Sequence, residues 1–185
     1  MNHPGAPPPY PAHAPTPQKK SGLPVWLIVL LIVVPLFVAI GGVLVVLGVY
    51  GTRKYIANAK TAEARSTISV MARAATEAFE SRGALCPSAS SPVPASTPRA
   101  AKYQSSPADW SRDSAADAGF ACLKFSMDAP QYYQYEYRAT ATGFTVTAHG
   151  DLDGDGVVST FEVEGRVTAG RVLVSPAIQE TNPEE

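Results

Sequence analysis

The sequence predicts an α+β protein: one long N-terminal helix, membrane-spanning at first and amphipathic afterwards, packed on a small antiparallel β-sheet. Three observations carry this expectation. Residues 25–50 contain no charged side chain. Residues 51–82 contain no proline and repeat apolar side chains every three or four positions. Beyond residue 120, short stretches alternate apolar and polar side chains between turns.

The apolar run, VWLIVLLIVVPLFVAIGGVLVVLGVY, covers about 39 Å at helical rise, against a hydrocarbon core of about 30 Å. A cleavable signal peptide is the competing reading, but its apolar region would be roughly 7–15 residues long and would end at a small-residue cleavage site. Here the run is longer and leads into Arg53-Lys54 and a helical pattern, which favours an uncleaved anchor over residues 23–50. Pro35 inside it is expected to kink the helix. Gly41-Gly42 and Gly48 offer close approach to another helix without forming a GxxxG pair.

Before the span, residues 1–22 form a Pro-rich tail with seven prolines in the first twenty positions, a composition that builds no core and is expected to be disordered. Pro7-Pro8-Pro9-Tyr10 matches a short WW-ligand pattern, for which a solvated tail is the simpler account. His3 and His13 read as bystanders.

Charge is unevenly spread. Residues 1–82 carry 8 Lys/Arg against 3 acids, net +5, whereas residues 83–185 carry 7 against 13, net −6. An acidic C-terminal half argues against nucleic-acid binding, which needs a basic face. The basic flanks of the apolar run suit membrane lipids. Counted literally, Lys19 and Lys20 on one side against Arg53, Lys54, Lys60 and Arg65 on the other would place the C-terminal side in the cytoplasm. The two cysteines oppose this, since Cys86 and Cys122 form a single pair suited to an oxidising compartment. The expected topology is N-terminus cytoplasmic, C-terminal domain outside.

Past the span, Tyr55, Ala59, Ala62, Ile68, Met71, Ala75, Ala78 and Phe79 mark one modestly apolar stripe, and Gly83 is a natural C-cap for a helix over residues 51–83. A separate helix would require a break near residues 48–52. Residues 84–119 are rich in Pro and Ser and read as a loop, tacked down by Tyr103 and Trp110. Residues 120–180 are expected to hold the sheet, with strands over 120–127, 131–139, 144–148, 161–167 and 171–174. Tyr133, Tyr135 and Tyr137 share one face, and Thr168-Ala169-Gly170 turns the last hairpin. A Cys86–Cys122 disulfide would tie the loop to the first of these strands.

One motif carries metal chemistry. Residues 151–162 fit the twelve-residue calcium loop, with Asp151, Asp153 and Asp155 at positions 1, 3 and 5, and Gly156 at 6. Val157 supplies a carbonyl at 7, Ser159 stands at 9 and Glu162 at 12. The flanks read as strands, so one structural Ca2+ bracing the sheet is expected rather than a paired sensor. An Asp/Gly-rich turn without metal is the alternative. Neither a Ser/His/Asp nor a Cys/His set is visible, and His149 reads as a strand-end residue. Neither a P-loop nor GxGxxG occurs, so catalysis and a small-molecule substrate are not expected.

Residues 42–79, GVLVVLGVYGTRKYIANAKTAEARSTISVMARAATEAF, resemble the N-terminal helix of type IV pilins and pseudopilins, with Tyr55, Ala57, Ala59-Lys60, Glu63-Ala64 and Phe79 in register. The run from Gly150 to Gly156, followed by Ser159-Thr160-Phe161, is similar to pilins of deltaproteobacteria, myxobacteria in particular. The resemblance implies a subunit or accessory of a pilus or secretion system in the bacterial inner membrane. It also implies contacts to other pilin-like subunits through a helix bearing Gly42, Tyr55, Ala59, Glu63 and Phe79. The glutamate of the pilin processing site has no counterpart: Val33 stands there in the Tyr55 register, and Leu27 in the register of Lys19-Lys20-Ser21-Gly22. A single-pass calcium-binding or interaction module outside any filament is the alternative function.

Overall fold

The computed structural model describes Gly5 and residues 22–183, so the Pro-rich tail, its WW-like pattern and His3 and His13 lie outside the described residues. Helical backbone extends from Val25 to Arg82 as helix α1, through Pro35 and across residues 48–52. The chain divides after Leu47 into two units. In the first, residues 25–47 belong to an apolar stretch, Val25–Val49, with mean hydropathy 3.1 and none of its hydrophobic window buried. Such a helix is long and apolar enough to span a membrane. Gly41 and Gly42 have nothing packed against them.

The second unit is built on the rest of α1. Thr61, Ala64, Ile68, Met71 and Ala75 repeat at intervals of three and four and are all essentially inaccessible. Ile68, Met71 and Ala75 belong to the expected stripe, and Ala78 and Phe79 are half-buried beside it. Tyr55, Ala59 and Ala62 are exposed instead, Tyr55 at 75 %. At about 100° per residue they lie roughly 120–180° round the helix from Ile68. The helix carries two apolar seams where the spacing predicts one stripe. The helix ends where expected, at Gly83 with φ +74°, whose amide donates to the Phe79 carbonyl.

Among the described residues five strands follow: β1 (Gln134–Ala139), β2 (Gly143–Gly150), β3 (Ser159–Thr168), β4 (Arg171–Val174) and β5 (Gln179–Thr181). They form one antiparallel sheet in the order β1-β2-β3-β4, with β5 pairing beside β4 on the same side of β3. The β3–β4 turn falls on Ala169 and Gly170, at φ +51° and +77°, the two positive values that a two-residue hairpin turn of type I′ requires. Tyr135, Tyr137, Phe144, Val146, Ala148, Phe161 and Val163 make the inner face and bury with the α1 row into one core. Tyr133, just before β1, joins them edge-on to Phe161.

Residues 120–127 are not a strand. They begin in a short helix, α3 (Gly119–Cys122), and continue irregularly to Phe125, which packs with Phe120 around Trp110. A strand there could not extend the sheet beyond β1. The outer side of β1 is already taken by the preceding loop, with Val93 and Tyr135 exchanging amide–carbonyl bonds of 2.7 and 2.9 Å and Ala89 donating to Tyr137. The sheet therefore starts at residue 134 rather than 120. The disulfide Cys86–Cys122 is present, but it fastens the loop to α3 instead of to a strand. The loop itself is irregular apart from a short helix, α2 (Pro107–Trp110), and a 3₁₀ turn, Ser114–Ala116. Trp110 is buried and donates to Ser105 Oγ, while Tyr103 is held by paired backbone bonds to Gln131. β5 adds a strand that alternation does not signal, because it is three polar, exposed residues.

Candidate functional site

The acidic loop leaves β2 at Gly150 and returns at Ser159, the last pair of the β2–β3 ladder. Gly150 sits against the Tyr133 ring, where a Cβ would lie 2.6 Å from the ring carbon. The loop is organised by its own carboxylates. Buried Asp151 accepts from the amides of Gly154 (2.7 Å) and Gly156 (3.1 Å), Asp153 from Asp155, and Asp155 from Val157. Gly154 and Gly156 take φ of +85° and +96°, which a side chain would oppose. The three aspartates present ligand oxygens within 4.8 Å of one another, Asp151 buried and the other two exposed. That spacing could hold a metal ion, and like charges so close favour a cation between them. Arg99 approaches from outside, its Nε 3.7 Å from Asp151 Oδ2, and Lys60 of α1 donates to the Leu152 carbonyl.

The other proposed ligands stand differently. Ser159 is buried and gives its hydroxyl to the Gly150 carbonyl, closing the neck of the loop. Glu162 lies three residues into β3, opposite Thr147 and Gln179, and is not part of the converging triad. Sequence spacing counts twelve positions correctly but cannot see that the last four have become a strand.

Among the residues expected to form an assembly helix, Gly42, Tyr55 and Ala59 are exposed and Phe79 is half-buried. Glu63 faces the sheet: its Oε1 accepts from the Tyr132 amide at 2.8 Å and from the Tyr135 hydroxyl at 3.2 Å. Burial holds its carboxyl above the ordinary range, against the pull of these bonds. Two residues on, Arg65 makes a bidentate pair with Glu180 of β5 and lies over the Phe161 ring.

No family model, curated protein or solved structure matches the chain.

The outward face of the sheet carries a further group of polar side chains. Glu136, Thr147 and Glu162 lie opposite one another across β1, β2 and β3, with His149 and Thr160 in the next row. His149 is half-buried, its Nδ1 3.0 Å from Thr160 Oγ1. Burial pushes the imidazole below its ordinary pKa, while Glu136 and Glu162 pull it up. The Thr147 hydroxyl oxygen is buried without a partner. Period-two spacing on three strands is the signal that would have found this group, once the register was known.

Proposed function

We propose that the chain is a pilin-like structural subunit, or an accessory of a pilus or secretion system, anchored by one span in the bacterial inner membrane. Its N-terminus would be cytoplasmic and its head outside. One observation supports the reading above the rest: helical backbone continues from the exposed apolar stretch Val25–Val49 into the row of Ala64, Ile68, Met71 and Ala75 that forms the core. The same helix then serves as anchor and as part of the head, as the pilin resemblance of residues 42–79 implies. The paired cysteines agree with a head outside the cytoplasm.

Within this reading the acidic loop holds one structural Ca2+ through Asp151, Asp153 and Asp155 and the Val157 carbonyl. The bound ion would offset the repulsion among the three carboxylates and stiffen the β2–β3 connection. Calorimetry on the full chain in detergent should give calcium binding that Asp153→Asn with Asp155→Asn abolishes; no heat in the parent chain removes the ion from the proposal.

The assembly reading is tested by the intact mass of the native protein, taken separately from sheared surface filaments and from membranes. A chain present in filaments supports a subunit. A chain confined to membranes, recovered as a monomer after crosslinking, replaces this reading with a single-pass calcium-binding or interaction module.

A further inference from the structure

We propose that the outward face of the sheet is a binding site for a divalent transition-metal ion, formed by Glu136, His149 and Glu162 over Thr147. It is independent of the acidic loop and of the anchor. The side chains come from three adjacent strands. Glu136 and Glu162 flank Thr147 in one row, and His149 stands on the same face two residues further along β2, diagonal to both. Diagonal neighbours on a sheet have Cα atoms roughly 7–8 Å apart, and metal–ligand bonds to imidazole and carboxylate are about 2.0–2.2 Å. Two glutamates and a histidine can thus close on a single ion above the middle strand.

Three features separate this group from an ordinary solvated face. All three side chains are partly buried, so a cation there would meet ligands already stripped of some water. The imidazole is held by Thr160 at Nδ1; with a proton on that nitrogen, Nε2 keeps the lone pair a metal needs, the arrangement by which an outer partner usually orients a ligating histidine. Between the two glutamates in register, half-buried Thr147 has a hydroxyl oxygen that is itself buried and unpartnered. The mixed nitrogen and oxygen set suits zinc and its neighbours, whereas Ca2+ takes oxygen alone.

In the structure the ligand atoms are not gathered: Glu136 is engaged by Arg138, Nη2 to Oε1 2.6 Å, with the Arg138 side chain 72 % exposed. Binding therefore requires Glu136 to leave a surface ion pair, which is a weak interaction. This gives a substitution that should improve the site rather than damage it.

The test titrates the full chain in detergent with Zn2+ by calorimetry and with Co2+ by visible absorption, at pH 7. One equivalent is expected, with affinity falling more than about 10-fold in His149→Ala and in Glu162→Gln. Arg138→Ala should tighten binding several-fold, a gain that misfolding cannot produce. Asp153→Asn should leave zinc binding unchanged, and excess Ca2+ should not compete. No saturable binding, affinity unmoved by His149→Ala, or loss on Asp153→Asn would each overturn the proposal; in the last case the acidic loop is the zinc ligand.

Discussion

Glu63 is the polar contact through which α1 grips the start of the sheet, and replacing it tests how much stability passes through that seam. The carboxylate accepts from the Tyr132 amide and from the hydroxyl of Tyr135, a residue with no exposed surface. Glu63→Ala removes the acceptor that both donors share. A buried donor left unpaired costs about 1–3 kcal/mol; with the Tyr132 amide partly rehydrated at the rim, the expected loss is about 2 kcal/mol. For a domain of this size that lowers Tm by roughly 7 °C. Glu63→Gln keeps an acceptor and removes the charge, so it isolates the titration. Because burial raises the folded pKa above the ordinary 4.5, folding favours the protonated acid. The contribution of Glu63 is most favourable below pH 4.5 and declines as pH rises through the raised value. Denaturant unfolding in detergent, followed by near-UV circular dichroism, should therefore show the wild type losing ground to Glu63→Gln between pH 4 and 7. A loss below 0.5 kcal/mol in Glu63→Ala, on a scale where about 1–3 is expected, would refute the reasoning. So would a wild-type–Gln difference that is flat or slopes the other way.

Replacing Cys86 and Cys122 together by Ser opens a link between residues 36 apart in sequence; the chain-entropy model puts the loss at about 4 kcal/mol, and limited proteolysis should then cut residues 87–118 faster. Gly119→Ala combines a φ of +54° with a Cβ 2.7 Å from the Ala89 Cα, and should cost about 1–3 kcal/mol by thermal melting. Arg65→Ala frees β5. Its exposed pair with Glu180 is worth less than about 1 kcal/mol globally, but amide exchange over residues 179–181 should accelerate well beyond that of β2. Arg65 holds the Glu180 carboxyl below its ordinary 4.5. What stability the pair gives is present above pH 4.5 and lost as pH falls through the lowered value.

What could be read from the sequence follows from where a local period decides the structure. Strands β2, β3 and β4 and the Ala169-Gly170 turn were legible because alternation and positive φ are local properties. So were Gly83 and the pairing of the only two cysteines. Residues 120–127 are ambiguous in sequence because their apolar positions fit a strand as well as a turn of helix. The choice was made far away, by the loop that already occupied the edge of β1. The Tyr55, Ala59 and Ala62 seam looks like core in the sequence because both faces of α1 carry small apolar residues; only the sheet selects the one it covers. The aspartates of the acidic loop were visible as a motif, whereas the position of Glu162 depended on how soon β3 began. The group around His149 was invisible without strand register, since its members come from residues 136 to 162.

The covering of β1 by Ala89 and Val93 has a consequence for association. Among the described residues, one flank of the sheet is sealed by the chain's own backbone, while β4 and β5 both lie on the other flank. In polymer terms the sheet is monofunctional. A strand can be added at β4, and two copies can meet there, but the product has no second reactive edge. Growth by strand addition stops at two, so the sheet does not seed a cross-β stack.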